Sequence, residues 1–275
     1  MRYIVFLIKT HFLHEFRSKK IIFLSIFSAL YLFLTYKLGY QIENFSSQYN
    51  GKELLGLDVN FIGLIYFGGI YFTSFFLCTL SSVSSLKEDL ENKMSSQFLL
   101  LPYPRWHYLL GKFLGTWFLT LIFFALFFIL GAVFSLFPTI SVTTLLLLFF
   151  NSVLIFPPVI LACFLLSSYM PSLWSLILYF FIRLTGLAIA GSVEYSTYIS
   201  TPFSYKKIVF LFFPPDFALF SNSPFMKNIN EFIEKNRPES IPSISNLSVN
   251  IHLALLSVLL FAVLCLLFQR RSFGR

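Results

Sequence analysis

Charged residues are scarce in this chain. Asp, Glu, Lys and Arg make up 12% of its 275 residues, about half the share of an ordinary globular protein. Hydrophobic residues make up 57% and the mean hydropathy is +0.79, which excludes a soluble domain and points to an integral membrane protein. Cysteine is nearly absent too. Cys78, Cys163 and Cys265 each sit in an apolar run, with no CxxC pair and no His/Cys cluster beside them. Neither a disulfide framework nor a metal site is indicated, and the three read as small core residues. Carboxylates are missing from the long apolar stretches altogether. Secondary transporters and intramembrane hydrolases usually carry ionisable groups near the bilayer midplane, so this absence argues against both.

Motifs for chemistry are lacking as well. Gly111-Lys112 has Trp106 where the leading glycine of a phosphate loop belongs and Phe113 where Ser or Thr should follow, so this chain is not expected to hydrolyse ATP. His11-Phe-Leu-His14-Glu15 is neither HExxH nor HxxEH and reads as decoration of an interfacial helix rather than a metal site. There is no GxSxG, and catalytic residues, bound metals and bound cofactors are not expected. The net charge of +8 would suit nucleic acid, but the basic residues flank apolar stretches instead of forming one patch, which fits anionic lipid headgroups better. The 38 phenylalanines support no inference about an aromatic site.

What is present is a series of apolar stretches long enough to cross about 30 Å of hydrocarbon as helices. Lipid forces the helix, because backbone amides there must be satisfied within the segment. An all-α, polytopic fold with six spans is expected, at about 21–41, 60–84, 108–136, 143–170, 173–191 and 250–268. With the amino terminus in the cytosol, twelve basic residues face inward, from Arg2, Lys9 and Arg17 to Arg270, Arg271 and Arg275, while the short outer loops carry only Lys37 and Lys52. The positive-inside rule therefore places both termini in the cytosol and the protein in the cell's cytoplasmic membrane. Charges run up to Lys20 and no small-residue cleavage site is evident, so the first twenty residues read as a retained helix and not a signal peptide. Val5, Ile8, Phe12 and Phe16 form one apolar stripe on that helix, with His11, His14 and Glu15 away from it. Such a helix is expected in the cytoplasmic interface, where Lys9 can snorkel.

Residues 85–107 interrupt the apolar pattern. Leu86, Leu90, Met94, Phe98 and Leu101 recur every three to four positions, while Lys87, Glu88, Glu91, Asn92 and Ser95 fall elsewhere, which predicts an amphipathic helix. Ser85 with Glu88 reads as a capping box opening it, and Pro102 and Pro104 end it. On these grounds alone the helix is either a mere connector between two spans or a docking element for a cytosolic partner.

The string "LENKMSSQFLLLPYPRWHYLLGK", Leu90 to Lys112, resembles the cytoplasmic loop of ABC transporter permeases of the type-2 exporter class: an acidic stretch, a run of leucines, Pro-x-x-Arg and Gly-Lys. Met94-Ser95-Ser96 stands where Gly-Thr is common in that family. The layout is similar as well, with an amphipathic amino-terminal helix, six spans, a long outer segment before the last span and a terminal Phe-x-Arg-Arg at Phe268, Arg270 and Arg271. The resemblance implies that 86–101 is a coupling helix received by a separate ATPase subunit, which would hold the ATP and Mg. Leu86, Glu88, Leu90, Glu91, Met94, Phe98 and Arg105 are then the coupling residues, with Glu88, Glu91 and Arg105 as contacts and Phe98 as anchor. It also implies a dimer, of two copies or of this chain with a similar permease. The alternative is a non-transporting membrane scaffold or force-transmitting subunit that recruits a cytosolic partner. Lipid, drug, peptide and polysaccharide cargo all suit this architecture, and nothing in the sequence selects among them.

Two polar residues inside the spans, Arg183 and Asn151, stand out. Arg183 would cost about 2.5–3.5 kcal/mol facing lipid and is expected to face the bundle or a wet cavity, and Asn151 is a hydrogen-bond candidate for it. They read either as a clamp between helices or as lining of a translocation route. Pro157-Pro158 should break the fourth span and form a kink or hinge. The outer segment 192–249 holds six of the twelve prolines, so several short or re-entrant helices are expected there. One of them, after Ser223-Pro224, reads as a lid, a partner contact or a connector resting on the membrane.

Overall fold

In a computed structural model, residues 2–48, 59–91, 105–134, 136, 142–192 and 246–270 are described, and among them every regular element is a helix. In chain order they are α1 (Arg2–Phe16), α2 (Lys19–Gln48), α3 (Val59–Glu91), α4 (Arg105–Val133), α5 (Val142–Val153), α6 (Phe156–Tyr169), α7 (Ser172–Ser192) and α8 (Asn246–Arg270). Four segments are long and apolar enough to cross a membrane: Lys19–Gln41, Ile65–Leu86, Arg105–Val133 and Leu145–Tyr169, the last made of α5 and α6 together. The apolar stretches described in α7 and α8, Ser172–Arg183 and Leu253–Gln269, are shorter.

The bundle is organised around α3, which packs on α2, α4, α6 and α7. Its sequence explains why. Gly69, Thr73, Ser74, Cys78, Thr79, Ser81 and Ser82 are small, so neighbouring backbones can approach closely. Three of their hydroxyls are met within α3 itself: Thr73 donates to Ile70 O at 3.1 Å, Thr79 to Phe76 O at 2.9 Å and Ser82 to Cys78 O at 2.6 Å. Larger side chains fill the gaps. Tyr31 lies over Gly69 and Tyr66 over Gly131, and their hydroxyls bond Ile65 O at 2.6 Å and Phe127 O at 2.7 Å. At mid-bundle Phe67, Phe124, Phe128, Phe149 and Phe156 interlock edge-on and stacked.

The fourth long apolar stretch is broken, as its prolines demand, but ahead of them. Leu154 and Ile155 form a turn in which Ile155 N reaches back only to Ser152 O, at 3.2 Å. Pro157 and Pro158 then occupy the first turn of α6, where an amide hydrogen has no intrahelical partner anyway. At the other end Met170 is extended (φ −124°, ψ 157°), the conformation a residue before proline favours, and Pro171 ends the helix.

A second correction concerns α3. The expected capping box at Ser85 and Glu88 does not start a new helix. Instead α3 runs unbroken from Val59 to Glu91, because no glycine or proline stands between Ile70 and Leu101 to stop it, and Ser85 is buried within the helix, near its end.

Candidate functional site

Four helix ends meet at one end of the bundle: the start of α2, the end of α3, the start of α4 and the end of α8. Polar side chains mark each junction. Lys20 at the start of α2 bonds Ser84 near the end of α3. Arg105, the first residue of α4, donates from Nη1 to Phe268 O at 2.9 Å, with Gln269 O at 3.5 Å. These carbonyls end α8 and lack intrahelical donors, and they carry the negative end of its dipole, so an arginine is well suited to hold them. The connection between α3 and α4 springs from this same end.

Against that end lies α1, packed mainly along α4. Leu7 sits over Gly111 and His11 over Gly115, in the same chain direction; a Cβ added at either glycine would come within 2.7 Å of the α1 side chain. The two glycines, four residues apart on one face of α4, thus clear a groove for the helix. Leu7, His11 and Glu15 follow the same four-residue spacing and form the buried ridge of α1.

Each polar member of that ridge is answered. Thr116 donates its own hydroxyl hydrogen to Lys112 O at 3.1 Å, which leaves its oxygen to accept from His11 Nε2 at 2.9 Å. The pattern assigns the Nε2–H tautomer, so Nδ1 is the acceptor, and it faces Lys112 Nζ at 3.4 Å. Lys112 Nζ also reaches Ser85 O at 3.5 Å. Burial, with Lys112, His14 and Lys20 adding repulsion, holds the His11 imidazole well below its ordinary range and therefore neutral at pH 7. Glu15 is 1% exposed. It accepts from Ser81 Oγ at 3.1 Å and lies 4.0 Å from Lys20 Nζ. Burial raises its pKa, opposed by Lys20 and the Ser81 hydrogen bond.

This corrects the reading of the first twenty residues. His11 and Glu15 do not decorate a water-facing side but are the contact residues of α1, while Val5 (63%) and Phe16 (53%) are exposed. The signal was present: the small residues Ser81, Ser84 and Ser85 at the end of α3, and Gly111, Gly115 and Thr116 on α4, are what a close helix contact needs.

The coupling residues fall differently. Leu86, expected on the docking face, is buried in the bundle core; with α3 continuous, its position faces inward. Arg105 holds α8, as above. The backbone of Glu88, Leu90 and Glu91 completes α3, and Met94 and Phe98 lie outside the described residues, as do most of the expected helices of 192–249.

Asn151 is buried and Arg183 is half-buried. Arg183 on α7 reaches α3, with its guanidinium 4.6 Å from the Phe75 ring centroid and Nη2 3.5 Å from Tyr71 Oη. Tyr71 in turn stacks on Phe156 beside the helix break. Asn151 is buried on α5, one turn before that break. Among the described residues no group of three His, Cys, Asp or Glu is placed to hold a metal ion. Compared with known proteins, the chain matches no family model and no curated sequence.

Proposed function

We propose that this chain is the permease subunit of an ABC exporter, with six spans and both termini in the cytosol, driven by ATP and Mg on a separate ATPase subunit. The observation that carries this reading is the convergence at the basic end. Lys20, Arg105 and Lys112 tie α1, α2, α4 and α8 around the point from which the α3–α4 connection springs, and that connection bears the permease-like string. A push on the connection would meet a tied unit of five helices instead of a loose loop. Glu88, Leu90, Glu91, Met94 and Phe98 meet the ATPase in this reading, and Arg105 passes the displacement to α8. The substrate route runs between two such permease chains, and the break at Leu154–Ile155 beside Arg183 and Asn151 is where the wall of that route can bend.

The test is copurification. Wild-type chain isolated in mild detergent should bring down an ATP-hydrolysing subunit, and Glu88→Arg with Glu91→Arg should reduce its recovery at least severalfold. Undiminished recovery removes those two contacts, and absence of any such subunit from the wild-type preparation removes the reading.

A further inference from the structure

The groove that receives α1 leaves the opposite face of that helix uncovered. Val5, Lys9, Leu13 and Arg17 recur every four residues and so form one ridge. All four are exposed, as are Phe6 and Phe16 beside them. Glu15, the single acidic residue before Glu43, is turned inward onto Ser81. Docking therefore removes the one carboxylate from the outward side and leaves Lys9, Arg17 and the adjoining Lys19 exposed among phenylalanine, leucine and valine.

Cations mixed with large apolar side chains, with no anion between them, match the boundary between headgroups and acyl chains in an anionic leaflet. The helix that follows in the chain points the same way. Phe23, Ile26, Leu30 and Phe33 on α2 are equally exposed, and α2 is long and apolar enough to cross a membrane, so α1 is joined within two residues to a helix that lipid can surround. We infer that the outward face of α1 binds anionic phospholipid, with Lys9, Arg17 and Lys19 meeting the phosphates and Phe6, Leu13 and Phe16 entering the acyl boundary. The inference does not depend on which cytosolic subunit the chain binds.

The experiment is photolabelling of the full chain in bilayer nanodiscs that mix phosphatidylglycerol with phosphatidylcholine, using a diazirine analogue of one lipid or the other and mapping adducts by peptide mass. Residues 2–20 should take phosphatidylglycerol in preference to phosphatidylcholine, while the exposed face of α2 shows no preference. Lys9→Gln, Arg17→Gln and Lys19→Gln should each lower that preference, by up to about fivefold per charge at low salt. Lys9→Arg with Lys19→Arg should keep it, and added salt should weaken it in the wild type. Equal labelling by both lipids on α1, or a preference unchanged in the triple Gln variant, overturns the proposal. So does a lack of any lipid adduct on α1, which would mean that protein covers this face.

Discussion

Two polar contacts hold distant parts of this bundle, and they are built on opposite terms. On α1, short-range fit comes first: two glycines admit the helix, and only then do His11 and Glu15 reach Thr116 and Ser81. On α7, reach comes first: a long arginine extends to α3 and finds a ring face and a hydroxyl. The first contact fails if backbones separate by a fraction of an ångström, whereas the second tolerates movement because the side chain can follow. A part that must stay fixed and a part that can slide are thus distinguished by side-chain size alone.

The comparison can be broken most severely at Gly111. Gly111→Leu places side-chain atoms where Leu7 Cβ already stands and should unseat α1 at a cost of about 3 kcal/mol, the upper end for overpacking. Hydrogen exchange over residues 2–16 should then rise towards that of a free helix. His11→Ala keeps the groove but removes the bond to Thr116, for about 2 kcal/mol of thermal stability in detergent. Arg183→Lys should cost less, about 1 kcal/mol, since an ammonium retains charge over the ring and loses the planar stack. Equal losses for His11→Ala and Arg183→Lys would erase the distinction drawn above.

Acid sharpens the contrast more gently. The docked pKa of His11 lies well below the free value of 6.5, so the undocked state binds more protons and docking weakens as pH falls below about 6.5. A protonated ring would also bring Nδ1–H against Lys112. Glu15 acts in the reverse sense: its docked pKa is raised above 4.5, so falling pH relieves its burial as the carboxylate is protonated. Exchange protection of α1 should therefore drop just below pH 6.5, and His11→Gln should remove that drop. An equally large drop in the His11→Gln variant would assign it elsewhere.

The sequence made the apolar stretches and Arg183 legible for the same reason, since lipid has a known cost for each polar group placed in it. The helix break near Pro157 was legible too, displaced by two residues because proline is welcome in a first turn. The docking of α1 was not. An apolar stripe on an interfacial helix shows which side can face lipid, but it does not say whether the other side meets water or protein. Deciding that required pairing Leu7 and His11 with glycines about a hundred residues away and Glu15 with a serine 66 residues away, a long-range match that periodicity along one helix cannot supply. The capping box misled because Ser85 and Glu88 satisfy a local pattern, while an uninterrupted helix with Leu86 packed in the core buries more apolar surface.

The central claim is that the connection between α3 and α4 stands at the cytosolic end, where a motor subunit grips it. It can be tested with one labelling measurement: Lys93→Cys, in a background with Cys265→Ser, exposed to a membrane-impermeant maleimide in inside-out and right-side-out vesicles. Cys78 and Cys163 are buried and should stay silent. Reaction only in inside-out vesicles, suppressed when the ATPase subunit is bound, is the expected result. Reaction from the outer side, or no suppression by the bound subunit, would contradict it.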